Sequence, residues 1–156
     1  MIGFVAIGRN EGERLKRCLA ALRKEGGRVV YVDSGSTDGS LAAASSLGCE
    51  TVAHDTDHPF TAARARNAGF ERLKELWPET DLVMFIDGDC EIAPGFANAA
   101  AAALLEDPAC GVVAGRVRER DRDRSVYARI CDMEWTAPAG EARAVGGIFM
   151  TRASLF

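Results

Sequence analysis

Short unbroken apolar runs alternate along this chain with longer stretches in which apolar residues recur every three or four positions. The first run, residues 2–7 (IGFVAI), has no polar alternation and predicts a strand buried on both faces. A helix follows in NEGERLKRCLAAL, where Leu15, Cys18, Leu19 and Leu22 stand at i, i+3, i+4 and i+7. Asn10 is expected to cap it, with Glu13 reaching back as in a capping box, and Gly26-Gly27 to end it.

The same alternation repeats downstream. Residues 28–33 (RVVYVD) predict a second strand, SGSTDGS a turn, SLAAASSLG a short helix closed by Gly48, and ETVAH a third strand. Thr61 or a near neighbour opens a long helix that runs to Trp77 and stops at Pro78. DLVMFID predicts the fourth strand, and PGFANAAAAALLED a helix with Pro94 in its first turn. CGVVAGRV and AVGGIFMTR predict further strands, with a helical piece near residues 125–135. Strands alternating with helices imply a doubly wound, mostly parallel α/β sheet with helices on both faces. Residues 1–156 are expected to form one domain.

Composition narrows the partners. The chain is 47% apolar and 27% charged with a formal charge of −4, so a general nucleic-acid binder is not expected. The arginine-rich stretch GRVRERDRDR interleaves three acids and predicts a solvated loop or strand edge rather than an anion site. Five cysteines, none in a CxxC, suit free thiols in a reducing compartment. No apolar run reaches the ~18 residues of a membrane span, and the first residues do not read as a signal peptide. The expected location is cytoplasmic, with attachment at the inner face of a membrane left open. HDTDH (residues 54–58) predicts a polar loop rather than a histidine metal pair, because Pro59 argues against a helix there. Trp77 is expected to pack at a helix end and Trp135 in the core, with an acceptor-site lining the alternative for Trp135.

In an open α/β sheet, ligands bind beyond the carboxyl ends of the strands, and the polar residues of this chain gather there. Strand one runs into Gly8-Arg9-Asn10-Glu11, strand two into Asp33-Ser34-Gly35-Ser36-Thr37-Asp38, strand four into Asp87-Gly88-Asp89. Asp87 and Asp89 would repel unless a cation lies beside them, and hard carboxylate oxygens suit Mg²⁺ or Mn²⁺ shared with substrate phosphates. The bland alternative is a strand end whose acids cap the next helix. Gly88 would let a diphosphate approach the backbone. Asp33 could accept from a base N–H, while Ser36, Thr37 and Asp38 suit plain turn chemistry. Arg64 and Arg66, two apart, cannot share a helix face, so at most one points into the crevice; a solvated arginine is the alternative.

Together these segments resemble family-2 glycosyltransferases, whose fold is GT-A. VVYVDSGSTDGS is similar to that family's Asp-Asp/Ser-Gly-Ser-Thr-Asp-Gly turn, ARARNAGF to its Ala-Arg-Asn-x-Gly helix, and VMFIDGDCEIAPGF to its Asp-x-Asp segment. VAIGRNEGERLKRCLAAL resembles its opening strand and helix, and AVGGIFMTRASLF the Gly-Gly strand that lines the acceptor side. The resemblance implies inverting transfer of a sugar from a UDP or GDP donor to a carbohydrate or lipid-linked hydroxyl, assisted by Mn²⁺ or Mg²⁺. It implies that Asn10, Glu11 and Asp33 contact base and ribose, that Arg66 shapes the donor site, and that Gly146 and Gly147 line the acceptor side. Asp87 would touch ribose or metal, and Asp89 would ligate the ion and so stabilise the leaving group.

Two departures stand out. The first turn reads Ile-Gly-Arg-Asn where the family has Pro and Tyr, which puts base stacking there in doubt. The family's general base follows the Gly-Gly strand, beyond Phe156, so a donor-binding part lacking the base is expected, with Glu134 the one nominee within the chain. Alternatives are a non-catalytic nucleotide-sugar binder and a haloacid-dehalogenase-type phosphatase using Asp87 and Asp89. The latter wants Thr or Val where Glu91 stands. A dinucleotide oxidoreductase is disfavoured because GRNEGE is no GxGxxG turn.

Overall fold

The computed structural model describes residues 1–53, 60–135 and 139–156, so the expectation for HDTDH falls outside the described residues. β1 (Ile2–Gly8) runs through the middle of a six-stranded sheet, parallel to β2 (Val29–Asp33) on one side and to β4 (Leu82–Asp87) on the other. β3 (Glu50–Ala53) extends the parallel part beyond β2. β6 (Ile148–Arg152) pairs antiparallel with β4, and the three-residue β5 (Val112–Ala114) pairs antiparallel with β6 at the far edge. The order is β3-β2-β1-β4-β6-β5. The sheet is therefore mostly parallel, as the alternation of apolar runs and helices predicts.

Successive strand residues point to opposite faces, and each face has its own core. Phe4, Ala6, Tyr31, Met84 and Ile86 pack on one side against Leu15, Cys18, Leu19 and Leu22 of α1 (Glu13–Glu25) and Ala97, Ala100 and Leu104 of α4 (Phe96–Glu106). Val5, Ile7, Val30, Val32, Val83 and Phe85 pack on the other against Ala65 and Leu73 of the helix Ala62–Leu76. Counting the short helix Ser40–Ser46 after β2, these last two are α3 and α2 respectively. Each buried leucine of the α1 stripe contributes about 1.5–3 kcal/mol relative to exposure. Burial on both faces is the reason β1, β2 and β4 are apolar without alternation.

Three local expectations are corrected. α1 is capped by Gly12 with no side-chain hydrogen bond, because Asn10 adopts φ 56 and gives its side chain to another turn. Pro94 precedes the cap of α4, which is Gly95, and so lies outside the first helical turn. Trp135 is 43% exposed rather than core, at the end of α5 (Val126–Glu134), a peripheral helix that buries only Ala128 and Asp132. Thr61 does cap α3, its Oγ1 accepting from the Arg64 amide at 3.2 Å, and Trp77 ends that helix against the second core. All five thiols are free. Among the described residues no helix is long and apolar enough to cross a membrane.

Candidate functional site

Because β1, β2 and β4 are adjacent and parallel, their carboxyl ends meet, with Gly8 beside Asp33 and Ile7 beside Asp87. The turns that leave them are tied together. Ser34 N–H donates to Gly8 O at 3.0 Å and Gly88 N–H to Ile7 O at 2.7 Å. Asn10 N–H donates to Ser36 Oγ at 2.9 Å, and Asn10 Oδ1 accepts from Thr37 N–H at 2.7 Å. Asp38 completes the lock, accepting from Gly12 N–H at 3.0 Å through one oxygen and from the amide and hydroxyl of Ser40 through the other. Ser36, Thr37 and Asp38 thus do the turn chemistry expected of them, and they do it across two turns.

Asp33 is 4% exposed. Its Oδ2 accepts from Gly35 N–H at 3.1 Å and Ser36 N–H at 2.8 Å, and its Oδ1 accepts from the Tyr31 hydroxyl at 2.9 Å. The apolar run of β2 does not single out Tyr31, although the period-two rule puts i and i+2 of a strand on one face. Burial raises its phenol well above the usual tyrosine range, and the bond to Asp33 adds to that. It stays a neutral donor.

Arg66, on α3, is the arginine that enters the crevice: its Nη2 lies 2.8 Å from Asp87 Oδ1, and its guanidinium carbon sits 5.6 Å from the Phe149 ring centroid. Its Nε is buried without a partner. Burial raises the Asp87 carboxyl, Arg66 opposes that, and nearby Asp89 adds to it. Asp87 N–H donates to Gly147 O at 2.8 Å, and a Cβ at Gly147 (φ 72) would stand 3.9 Å from Asp87 Oδ2 and 3.7 Å from Cys90 Sγ. So Gly147 does border the acids, while Gly146 is exposed with open space around it. Asp89 is exposed; Cys90 Sγ lies 3.5 Å from its Oδ1, and burial pushes that thiol up to about 12. Glu11 pairs with Arg14 at 2.7 Å, and burial raises its carboxyl with Asp89 and Asp38 adding.

Gly88 has a packing role as well. It is buried, and a Cβ there would meet Ile7 O at 3.1 Å and Leu15 Cδ1 at 3.2 Å, so its missing side chain makes room for β1 and α1. Glu134 is exposed on the last turn of α5. The arginine-rich stretch is the solvated loop expected of it, with all five arginines exposed, and it also carries ion pairs: Arg118 grips Asp132 through Nε at 2.7 Å and Nη2 at 2.9 Å, and Arg120 reaches Glu91 at 2.6 Å.

Among the described residues no group of three or more His, Cys, Asp or Glu is arranged to hold a metal ion. Asp87 and Asp89 nevertheless fit Mg²⁺ or Mn²⁺, which bind through one or two carboxylates and complete their shell with water and substrate phosphates. Among the described residues Arg66 engages Oδ1 of Asp87, and Asp89 meets the Cys90 thiol.

The sequence matches the model of glycosyl transferase family 2 over residues 5–145. Among solved structures, mannosyl-3-phosphoglycerate synthase from Rubrobacter xylanophilus superposes with a TM-score of 0.66 at 21% identity, covering 100% of this chain and 54% of that one. Glucosyl-3-phosphoglycerate synthase from Mycobacterium tuberculosis, solved with UDP, gives 0.61 at 20% identity, covering 99% and 57%. A mannosyltransferase from Pyrobaculum calidifontis in complex with GDP-Man and Mn²⁺ gives 0.60 at 24% identity, covering 77% and 36%. At these identities the likeness establishes the fold. This chain spans between 36% and 57% of the length of those three neighbours. The family match displaces the phosphatase alternative.

Proposed function

The chain belongs to glycosyl transferase family 2, and from that premise we propose that it binds a nucleoside-diphosphate sugar across the carboxyl ends of β1, β2 and β4 for inverting transfer to a hydroxyl acceptor. The observation that carries this is the meeting of Asp33, Asp87 and Asp89 at one sheet edge, on turns locked to each other by backbone donors. Asp33 faces the base and Asn10 and Glu11 the nucleoside, while Arg66 fixes the Asp87 carboxylate. Gly147 keeps the surface beside Asp87 low, so that an acceptor can approach.

In the transfer, the acceptor oxygen forms a bond to the anomeric carbon as the bond to the diphosphate oxygen breaks, and the electron pair leaves with the diphosphate. The hydroxyl proton goes to a general base, a role assigned to none of these side chains. Asp89, with Asp87, would hold Mn²⁺ or Mg²⁺, which supplies Lewis-acid neutralisation of the leaving diphosphate. Relatives solved with Mn²⁺ or Mg²⁺ and UDP support the cofactor. One of them, solved with Mn²⁺, UDP-glucose and glycerol 3-phosphate, supports an acceptor that bears a hydroxyl.

Thermal shift tests the site. Mn²⁺ with a nucleoside diphosphate at 100 times its dissociation constant is expected to add ~2.7 kcal/mol of stability. Asp89→Asn removes the metal-dependent part of that gain and leaves the unliganded melting temperature in place. An undiminished metal-dependent gain in Asp89→Asn would sink the assignment. Binding without transfer or hydrolysis of a sugar donor would leave this chain a nucleotide-sugar binder.

A further inference from the structure

α5 turns its apolar side away from the protein. Val126, Ile130 and Met133 stand at i, i+4 and i+7 with Tyr127 beside them, and these four are 70%, 45%, 71% and 81% exposed in that order. An amphipathic helix ordinarily lays such a stripe on the core. Here the inward side carries Ala128 and Asp132 instead. Asp132 explains the inversion: Arg118 holds its carboxylate at 2.7 Å and Arg122 reaches it at 3.4 Å. These ion pairs fasten the polar side down and leave the apolar side uncovered.

From this inverted helix we propose that α5, with the arginine-rich stretch before it, is a docking surface for an anionic phospholipid membrane, lying in the plane of the headgroups. Among the described residues no helix is long and apolar enough to cross a bilayer, and a stripe on nine residues suits the interface rather than a span. Tyr127 and the exposed Trp135 at the helix end each join an apolar ring to a polar tip, the combination that partitions to the boundary of acyl chains and headgroups.

Charge and size choose between a lipid surface and a second copy of this chain. Residues 115–135 hold six arginines against five acids, one of which is the buried Asp132, although the chain as a whole is net −4. Arg122, Arg124 and Arg129 are exposed around the start and flank of the stripe, where their long stems can reach lipid phosphates while the stripe is immersed. Exposed Glu134, and Asp123 paired with Arg129 at 3.1 Å, keep that attraction modest. A helix this short is about 13 Å long and presents a face on the order of 150 Å², against the roughly 800 Å² per partner of a stable protein interface. A lipid surface has no matching shape to demand, so apolar burial and headgroup charge suffice. Arg120 ties the same segment to Glu91 at 2.6 Å, close to Asp89 in the chain, so a docked molecule keeps that turn beside the lipid.

Co-sedimentation of the full chain tests this, with vesicles of phosphatidylcholine alone and of phosphatidylcholine mixed with phosphatidylglycerol. Binding to the anionic vesicles is expected to be about tenfold tighter than to the neutral ones, and high salt should erase that margin. This comparison needs no variant to fold. Replacing Ile130→Ser and Met133→Ser together removes the centre of the stripe at exposed positions, so binding should fall about tenfold with the melting temperature unchanged. Arg124→Gln should weaken binding to the anionic vesicles alone. Failure to bind anionic vesicles overturns the inference, as does equal binding to both kinds or binding that survives the double substitution. A dimer that the double substitution dissociates overturns it too, because the stripe would then be covered by its own copy.

Discussion

The two ends of the chain hold their polar residues by different physics. In the first 90 residues, the side chains of the candidate site stand on turns that leave three adjacent buried strands, and backbone amides fix them: Asp33 by Gly35 and Ser36, Asn10 by Thr37, Asp38 by Gly12. In residues 115–135, by contrast, α5 buries two residues and is fastened through Asp132 to Arg118 and Arg122. Amide donors on a packed sheet cannot move without unfolding it. Long arginines can change rotamer and partner at little cost. A nucleotide site needs the first kind of support, since its groups must be in place before the ligand arrives.

The contrast would break most visibly at Gly69, where α3 crosses the sheet. A Cβ there would run into Val5 Cγ1 and stand 2.8 Å from Val32 Cγ2, and both valines are stiff at χ1. Gly69→Val is therefore expected to lower the unfolding free energy by about 3 kcal/mol, the upper end of overpacking, in a urea titration. The strand-end site should be lost with it, because the same sheet holds both. A well-folded Gly69→Val protein that still binds nucleotide would show the sheet to be far more yielding than its packing implies.

This also marks what the sequence makes legible. Apolar runs without alternation report strands covered on both faces, and they locate β1, β2 and β4 and hence the meeting of Asp33, Asp87 and Asp89. The stripe of Leu15, Cys18, Leu19 and Leu22 reports α1 in the same way. Periodicity says nothing about which polar partner a side chain will find some 25 residues away. Asn10 reads as a helix cap because local spacing allows it, yet Thr37 takes its oxygen. Gly88 reads as room for a ligand, and nothing in the local sequence shows that Ile7 O packs against it as well. Trp135 reads as core, although α5 buries only Ala128 and Asp132 and leaves it 43% exposed. Tyr31 is different: two residues before Asp33 on β2, it shares that acid's face, a relation the strand period carries but the apolar run does not single out.

A second, smaller effect is expected in the other region. Asp132→Ala should release α5, seen as fast amide exchange over Val126–Glu134 while the amides of β1 and β4 stay protected. Acid should do the same to the unaltered protein. Arg118 holds the Asp132 carboxyl at about 2, below its ordinary 3.8, so the folded form prefers the charged state. Its contribution is then complete above 3.8 and fades as pH falls from there through about 2. Exchange in α5 that ignores both the substitution and the acid would mean that Ala128 packing, not the ion pair, fastens the helix, and the contrast between the two regions would narrow.

The smallest effect expected is at Asn10, and it separates the two things that residue does. Its backbone sits at φ 56, which asparagine tolerates better than most residues and glycine tolerates freely. Its side chain accepts from Thr37 N–H at 2.7 Å in an exposed position. Asn10→Gly keeps the conformation and loses the bond, so it should cost about 1 kcal/mol, a typical net hydrogen bond. Asn10→Ala loses the bond and adds strain at positive φ, so it should cost about 1 kcal/mol more. In both, the loss should appear more strongly in nucleotide affinity than in the melting temperature, because the sheet survives and only the lock between the two turns is released. If Asn10→Gly proves silent in affinity, the buried strands alone suffice to place the turns, and the amide ties across them are a consequence of the fold, not a support of the site.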